Sequence, residues 1–321
     1  MIPRLPHETK AASRGSGWTG EPAPIILFVY NRREHLERTV ESLRKNPSAQ
    51  SSNLFVFSDG PANGDEESTI HGIRDYCASI RGFNNVTVSE RAGNIGLAEN
   101  IARGVTDVIN RYGRAIILED DIVTSPAFLT YMNRALDFYK HEERVWHISA
   151  WNYPIDPHGL PDTFLWRVMD CWGWATWSDK WHYFERNPQR LLKKFTWRDI
   201  RRFNIDGVYD YWSQVKANGK GTIKTWAVFW YAAIAEHDGL CLNPVRSYVN
   251  NIGFDGSGSH CSRGGVYTNT ELNNNPDAAF TRSIVENRKA TGRVKRYIRA
   301  ENGSVARIAG RLLRWLWRRE R

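Results

Sequence analysis

Between residues 24 and 121 the sequence alternates short apolar runs with segments whose apolar residues recur at helical spacing. This pattern predicts strands over 24–30, 53–57, 86–89 and 114–119 and, between them, helices over 33–44, 69–80 and 97–112. Strands that alternate with helices form a parallel sheet with right-handed crossovers, which binds ligands at the carboxyl ends of its strands. We therefore expect an α/β protein with a mostly parallel sheet.

The last of these strands ends in three adjacent carboxylates, Glu119, Asp120 and Asp121. Neighbouring negative charges repel one another, so this arrangement needs a divalent cation or a set of hydroxyl donors beside it. Oxygen ligands suit a hard ion such as Mg²⁺ or Mn²⁺, which keeps waters and recruits substrate phosphates. The triplet could instead cap a helix that begins near Ser125, because carboxylates favour a helix N-terminus. The residues alone leave both interpretations open.

Several other classes of site are disfavoured. No GxGxxG follows the first strand and no GxxxxGK[ST] occurs, which argues against a dinucleotide site or a P-loop. The cysteines form no CxxC pair and follow no secretory signal, so we expect reduced thiols in a cytosolic protein and no zinc site. No stretch approaches the ~20 apolar residues that span a bilayer.

The chain is long enough, at 321 residues with 41% hydrophobic residues, for one large domain. Residues 1–23 are rich in Pro, Gly and Ser and are expected to be disordered. The two halves of the domain, 24–145 and 146–285, differ in amino-acid composition. The second half is dense in aromatic residues, including Trp172 and Trp174 in the motif CWGWATW. Such rings pack in cores, but they also stack on pyranose rings, so part of the cluster could be an acceptor platform.

A glycine-rich segment follows a predicted helix over 227–235 and a predicted strand over 240–242. It covers residues 250–261 and contains Gly256, Ser257 and His260. Its glycines and serines predict a mobile loop that orders over a ligand, or else a passive surface turn.

The net charge of +9 is concentrated at the end of the chain. Residues 288–321 hold 12 of the 44 Lys and Arg and two of the 35 Asp and Glu, so this segment carries +10 and the rest −1. Apolar residues such as Val305 and Leu312 recur at helical spacing opposite a row of arginines, which predicts a basic amphipathic tail over 286–321. Such a helix suits the anionic inner face of a membrane. The rest of the chain has no excess of basic residues that would continue a contact with nucleic acid. A packed or disordered tail remains an alternative.

The ordered set of motifs over residues 24–262 resembles the nucleotide-sugar-dependent glycosyltransferases of the GT-A type. It is similar to bacterial family 2-like sugar transferases and, more distantly, to the eukaryotic N-acetylglucosaminyltransferase I family. The motifs that carry the resemblance are VYNR, FSDG, NIGLAEN, EDD, CWGWATW, LCLNP and DGSGSHC. The resemblance implies a Rossmann-like sheet with helices on both faces, in which 24–145 binds the nucleotide sugar and 146–285 binds the acceptor.

Carried over residue by residue, the resemblance implies a role for each polar side chain at the strand ends. Arg32 and Asp59 would approach the nucleotide base, and the alternative is a surface salt bridge or a turn-stabilising aspartate. Asn94 would contact the nucleotide or shape the start of the next helix. Asp121 would bind Mn²⁺ or Mg²⁺, while Asp120 contacts the ribose or sugar and Glu119 accepts from the donor sugar.

One position departs from the family. The aspartate that follows a tryptophan and deprotonates the acceptor hydroxyl in related enzymes falls at Ala227 or Val228, which cannot accept a proton. Either Asp255 or Asp206 supplies the base, or the relationship does not extend to this step. His260 could complete the metal shell or contact the diphosphate, or could be a structural histidine.

These observations predict a metal-dependent, inverting transfer of a sugar from a nucleoside diphosphate sugar, such as a UDP-sugar, to a saccharide acceptor. The acceptor would be a lipid-linked glycan at the inner face of the membrane, in the assembly of a bacterial surface polysaccharide. Two alternatives remain. One is a sugar nucleotidyltransferase, although VYNRREH lacks the glycine-rich loop expected after its first strand. The other is a catalytically inactive glycan-binding or scaffold protein.

Overall fold

The computed structural model of the chain describes residues 20–255 and 271–303. In chain order, the strands within these residues are β1 (Ile25–Val29), β2 (Asn53–Ser58), β3 (Asn85–Glu90), β4 (Arg114–Glu119), β5 (Ile122–Thr124), β6 (Val145–Ser149), β7 (Thr163–Trp166), β8 (Trp174–Trp177), β9 (Leu240–Pro244) and β10 (Val249–Asn251). Eight of them form one sheet in the order β3-β2-β1-β4-β8-β6-β9-β7. Only β8 and β7 run antiparallel to their neighbours in it, so the predicted mostly parallel α/β sheet is confirmed.

Helices cover both faces of the sheet because alternate strand residues point to opposite sides. Ile25 and Leu27 of β1 pack against one group of helices, and Ile26 and Phe28 pack against the other. The helices within the described residues are α1 (Arg33–Arg44), α2 (Glu67–Ser79), α3 (Leu97–Tyr112), α4 (Phe128–Phe138), α5 (Ser178–Trp181), α6 (Pro188–Lys194), α7 (Trp197–Phe203), α8 (Trp212–Gly219), α9 (Ala227–Glu236) and α10 (Arg288–Gly303). Helices α1, α2 and α4 lie on the first face, and α3, α5 and α9 lie on the second.

The first half of the chain folds as its periodicity predicts. Helices α1 and α3 have the predicted bounds, and β1 to β4 lie at the predicted strands. Ala23, the residue before the expected boundary at residue 24, is part of the fold. Ala23 is buried, and its N–H donates to Asn133 Oδ1 at 2.8 Å, which joins this segment to α4.

The second half contains elements that the sequence did not predict. The CWGWATW motif is not only an aromatic cluster, because its second part is strand β8, which pairs with β4 in the middle of the sheet. Helices α6, α7, α8 and α10 surround a third apolar cluster built on β7 and α9. Helix α10 contributes Ala290, Val294 and Ile298 to this cluster, so the start of the predicted basic tail packs against the body.

The apolar stripe predicted for the tail, which includes Val305 and Leu312, lies outside the described residues. In the part of the chain that is described, no helix combines the length and the hydropathy that a membrane span requires.

Candidate active site

The acidic triplet lies at the carboxyl end of β4. In the sheet, this end is flanked by the carboxyl end of β1 and by the amino end of β8. Glu119 is the last residue of β4, and the chain then enters the short strand β5. Strand β5 pairs antiparallel with β10, with Ile122 opposite Asn251. The fold therefore brings residues near 120 and residues near 252 together at the edge where open α/β sheets bind their ligands.

Arg32 joins the two aspartates of the triplet. Its Nη2 donates to Asp120 Oδ1 and, at 2.9 Å, to Asp121 Oδ2. Burial alone would lower the pKa of the Arg32 guanidinium, but the charges of Asp120 and Asp121 outweigh it and raise this pKa. The two adjacent carboxylates are thus tolerated because one half-buried guanidinium bridges them.

The other carboxylate of the triplet is held close to neutrality. Burial, with repulsion from Asp121 and Asp120, raises the pKa of Glu119 well above its usual value. Burial likewise raises the pKa of Asp120 to about 6, although Arg32 opposes this effect. The site is therefore an enclosed, acidic environment in which a further positive charge would be strongly favoured.

Asp121 carries the feature that bears most directly on a metal. Its Oδ1 is buried and has no hydrogen-bond partner among the described residues. A buried carboxylate oxygen without a donor is costly, and a bound cation would satisfy it. Within residues 20–255 and 271–303, no group of three His, Cys, Asp or Glu side chains could hold an ion. The site therefore fits a hard ion held by one carboxylate, with substrate oxygens and water completing its shell.

Gly253 packs directly on this carboxylate, a contact that the sequence did not predict. Ile252 N–H donates to the Asp121 carbonyl at 2.9 Å, and a Cβ placed on Gly253 would lie 2.3 Å from Asp121 Oδ2. The position favours glycine, because even an alanine methyl would overlap the Asp121 carboxylate and the Arg32 guanidinium.

Asp59 connects the end of β2 to the NIGLAEN segment. Its Oδ1 accepts from the N–H groups of Gly60 and Ile95, and its Oδ2 accepts from Gly96, each at 2.9 Å. Asn94 supports the same turn by donating from Nδ2 to the Gly60 carbonyl at 3.1 Å. Both side chains thus shape the loop, and their predicted contact with a nucleotide remains a prediction.

Asp255 lies at the end of the described part of the glycine-rich segment. Its Oδ2 is 3.1 Å from His35 Nε2 on α1, and its side chain is half exposed. The preceding Phe254 packs edge-on against Trp172, with ring centroids 5.4 Å apart. The predicted lid residues Gly256, Ser257 and His260 lie outside the described residues.

The two tryptophans predicted to bind the acceptor have different environments. Trp172 is half-buried and lines a cavity, so its assignment remains a prediction. Trp174 is 1% exposed and stacks on Trp226 and His147 in the core. No ring face of Trp174 is left for a sugar, so its assignment to acceptor binding is corrected: β8 points this ring into the core.

Asp206 is also unsuited to the role predicted for it. Its Oδ2 lies 2.7 Å from Arg167 Nη2 and 2.6 Å from Lys295 Nζ. Burial would raise the pKa of Asp206, but the hydrogen bonds and charges of Lys295 and Arg167 lower it. Because two cations stabilise its charged form, Asp206 is a weak base, and it serves to attach α10 to the body.

Asp170, which the sequence did not identify as a site residue, lines the same cavity as Trp172. The cavity has a volume of about 310 Å³ and is walled largely by aromatic side chains. Ala227 and Val228, where the related enzymes carry their aspartate, lie in its lining. Burial raises the pKa of Asp170 to about 7.

Comparison with known proteins agrees with this geometry. The model of the GNT-I family, the N-acetylglucosaminyltransferase I family, matches residues 6–189, which is more than half of the chain. The chain belongs to the GNT-I family. The resemblance inferred from the motifs is confirmed, as is the GT-A class of the α/β fold.

Individual relatives are distant. The chain is 24% identical over 207 residues to an alpha-1,3-mannosyl-glycoprotein 2-beta-N-acetylglucosaminyltransferase of Arabidopsis thaliana. The match covers 62% of this chain but only 44% of that relative's length.

Two solved structures share a weaker likeness. The mannosyltransferase PcManGT from Pyrobaculum calidifontis, solved in complex with GDP-Man and Mn²⁺, matches with a TM-score of 0.40 and 13% identity over 71% of this chain and 73% of its own. S. aureus TarS matches with a TM-score of 0.31 and 15% identity over 44% of this chain and 23% of its own. These structural likenesses are too remote to carry functional meaning.

Proposed function

We propose that this protein is a metal-dependent glycosyltransferase. It moves a hexose or an N-acetylhexosamine from a nucleoside diphosphate sugar, a UDP-sugar, to a hydroxyl of a saccharide, with inversion at the anomeric carbon. The observation that carries the proposal is the buried Asp121 Oδ1, which lacks a hydrogen-bond partner among the described residues, in a chain of the GNT-I family. The contribution of β4 to the ligand-binding edge of the sheet supports the same conclusion.

Each side chain around Asp121 contacts a different part of the nucleotide sugar. A carboxylate offers about four acceptor sites, and the three backbone bonds of Asp59 leave one that suits a pyrimidine N–H. Asn94 lies on the same loop and contacts the nucleotide. Arg32 holds Asp120 towards the ribose or sugar, and Glu119 hydrogen-bonds the sugar hydroxyls.

Asp121 would hold Mn²⁺ or Mg²⁺, and the bound ion would offset the negative charge that develops on the diphosphate leaving group. The predicted lid residues Gly256, Ser257 and His260 would exclude water from this leaving group. Trp172 would stack on the acceptor from the other side of the site.

We further propose that the acceptor is a lipid-linked glycan at the cytoplasmic face of the membrane, in bacterial surface polysaccharide assembly. The segment 288–321 carries a net charge of +10, and α10 exposes Arg288, Lys289, Arg296 and Arg299 while its apolar side packs inward. Each basic residue near an anionic leaflet contributes about 1 kcal/mol. Cosedimentation should therefore show binding to phosphatidylglycerol vesicles but not to phosphatidylcholine vesicles, and equal binding to both would contradict the membrane proposal.

A panel of nucleotide sugars with and without Mn²⁺ tests the proposed reaction. A donor present at a hundred times its Kd should stabilise the wild type by about 2.7 kcal/mol in thermal unfolding, and only with the metal. Asp121→Asn should lose this stabilisation, whereas Asp75→Asn, at an exposed position on α2, should keep it. An unchanged response of Asp121→Asn would exclude its metal role.

The missing aspartate at Ala227 and Val228 favours one alternative, an inactive glycan-binding protein. Such a protein would bind glycans but would neither transfer nor hydrolyse a nucleotide sugar. If the protein releases UDP from the nucleotide sugar that stabilises it, this inactive alternative is excluded. Formation of pyrophosphate from UTP and a sugar phosphate would instead identify a nucleotidyltransferase.

A further inference from the structure

The family's catalytic aspartate is absent, yet the cavity where it would stand contains another carboxylate. Asp170 shares this cavity with Ala227 and Val228. We propose that Asp170 is the general base that accepts the proton of the acceptor hydroxyl. This inference rests on the proposed glycosyltransferase function and identifies the residue that completes it.

The sheet topology places Asp170 at the same edge of the sheet as the donor site. Strand β8 runs antiparallel to β4, with Trp174 opposite Ile117, so the segment before β8 lies at the edge where β4 delivers the acidic triplet. The electrostatics agree, because the pKa of the Cys171 thiol is raised by burial and then by the charges of Asp170, Glu119 and Asp121. The Cys171 thiol therefore lies within electrostatic range of both Asp170 and the triplet.

The cavity has the form of an acceptor site. Its volume of about 310 Å³ accommodates a sugar ring, and its walls include Trp172, Tyr209 and Tyr211. Aromatic rings pack on the apolar faces of sugars, and a small number of polar groups then fix the orientation of the hydroxyls. Trp172 also contacts Phe254, so the cavity adjoins the segment that packs on Asp121.

Asp170 is held in a fixed orientation. Its Oδ1 accepts from Trp172 N–H at 2.9 Å, and its own N–H donates to Ser149 Oγ at 3.3 Å. Its carbonyl lies 3.0 Å from Nε2 of the buried His147. A base held in this way can meet an incoming hydroxyl without reorganising.

The surroundings tune Asp170 for this task. The titratable groups that share its cavity are Tyr153, Cys171, Tyr209, Tyr211 and Tyr231. Burial raises the pKa of Cys171, Tyr211 and Tyr231, so these groups stay neutral at physiological pH. Glu119 and Asp121 contribute to the raised pKa of the Cys171 thiol. Arg167 and Glu286 act in opposite directions on the pKa of Tyr231. Burial raises the pKa of Asp170 to about 7, which is close to the value at which a general base works best.

The chemical step balances without a further reagent. The acceptor oxygen forms a bond to the anomeric carbon while the bond from that carbon to the diphosphate oxygen breaks. The electron pair of the broken bond leaves with the diphosphate. The hydroxyl proton passes to the Asp170 carboxylate, and attack opposite the leaving group inverts the anomeric carbon.

The earlier candidates suit this role less well. Asp206 is paired with Arg167 and Lys295, which stabilise its charged form. Asp255 is half exposed and pairs with His35. By contrast, Asp170 faces the aromatic cavity in which a saccharide would bind.

Asp170→Asn tests the assignment, because the amide oxygen can still accept from Trp172 N–H but the group is no longer basic. Asp156→Asn is a matched control: Asp156 Oδ1 also accepts a backbone N–H two residues on, from His158 at 2.9 Å, on the exposed surface. The assay uses the nucleotide sugar that stabilises the protein most, with the p-nitrophenyl glycoside that gives the highest rate. We expect kcat to fall about 10²- to 10⁴-fold in Asp170→Asn, with donor-induced stabilisation retained. The control should stay within about twofold of the wild type, because it changes no proton acceptor.

Two further measurements separate a base from a structural residue. The wild-type kcat/KM should rise with pH through an apparent pKa near 7, and Asp170→Asn should lack this rise. The double variant with Ala227→Asp and Asp170→Asn should have a kcat at least tenfold higher than that of Asp170→Asn alone, because residue 227 lines the same cavity. If Asp170→Asn does not fold, Asp170→Glu replaces it, and a pH limb identical to that of the wild type would then contradict the base role.

The two proposals fail in different ways. If the proposed function is wrong, the wild type itself neither binds nor consumes a nucleotide sugar. If only the base assignment is wrong, the wild type transfers sugar and Asp170→Asn transfers it at the same rate with the same pH dependence.

Discussion

Replacement of Gly253 by alanine tests whether the segment after β10 forms one wall of the site. An alanine Cβ would lie 2.3 Å from Asp121 Oδ2 and 2.8 Å from Arg32 Nη1. The backbone cannot retreat easily, because Ile252 N–H donates to the Asp121 carbonyl and Gly253 N–H donates to Asn251 Oδ1 at 2.8 Å. The strain therefore falls on the side chains of Asp121 and Arg32.

The size of the effect follows from these distances. An ordinary contact of a Cβ is 3.4 Å or longer, so the Asp121 carboxylate must move by about 1 Å. Overpacking of this kind costs about 1–3 kcal/mol of stability. A shift of about 1 Å in a group that positions a substrate lowers the rate by about 10²-fold. We expect both effects in Gly253→Ala.

Chemical denaturation and the transfer assay measure these effects separately. Gly292→Ala is the control, since Gly292 lies on the exposed side of α10 and a Cβ there meets nothing within 4 Å. Alanine in a helix should be neutral or stabilising by about 0.5–1 kcal/mol at this control position. A Gly253→Ala protein as stable and as active as Gly292→Ala would show that the segment does not pack on Asp121 in solution.

Three other predictions concern the loop after β2 and the carboxyl group of Asp170. Asp59→Asn should lose about 1–3 kcal/mol in urea unfolding, because its amide NH₂ would face the buried Gly96 N–H; stability equal to that of Asp65→Asn, an exposed control, would contradict this. Gly60→Ala should destabilise far more than Gly64→Ala, since its Cβ would lie 2.4 Å from the Gly93 backbone and that of residue 64 would contact nothing; equal midpoints would argue against the close approach. Because the pKa of Asp170 is raised from 3.8 to about 7, the folded chain binds a proton that the unfolded chain releases, so metal-free stability should fall as pH rises through this window. Asp170→Asn should lack that part of the fall, and an identical pH profile would disprove the shift.

The first half of the fold could be predicted because its signals are local. The spacing of apolar residues within each segment predicts α1 and α3, and short apolar runs predict β1, β2 and β4. The order of these elements then fixes which edge of the sheet carries the polar residues. The bridge from Arg32 to Asp120 and Asp121 was not predicted, because it depends on side-chain orientation that the order of elements does not define.

The second half could not be predicted in the same way, because aromatic residues at similar spacing line a cavity in one case and pack in the core in another. Trp172 and Trp174 are two residues apart, yet one lines a cavity and the other is buried by strand pairing. Only the register of β8 against β4 distinguishes them. The same register places Asp170 at the edge of the sheet that carries the triplet, and no local sequence pattern around Asp170 predicts this position.

The contact between Arg32 and the two aspartates predicts that the metal and the nucleotide bind cooperatively. Arg32 already occupies Asp121 Oδ2, and only Oδ1 of that carboxylate lacks a donor among the described residues. An ion bound there gains a single protein oxygen from this part of the chain, so it should bind weakly until donor phosphates complete its shell. We therefore expect Mn²⁺ alone and UDP alone to stabilise the protein slightly, and both together to stabilise it by more than the sum of the two. Additive shifts in thermal unfolding would mean that the metal site is complete without the nucleotide, which one unpartnered oxygen does not allow.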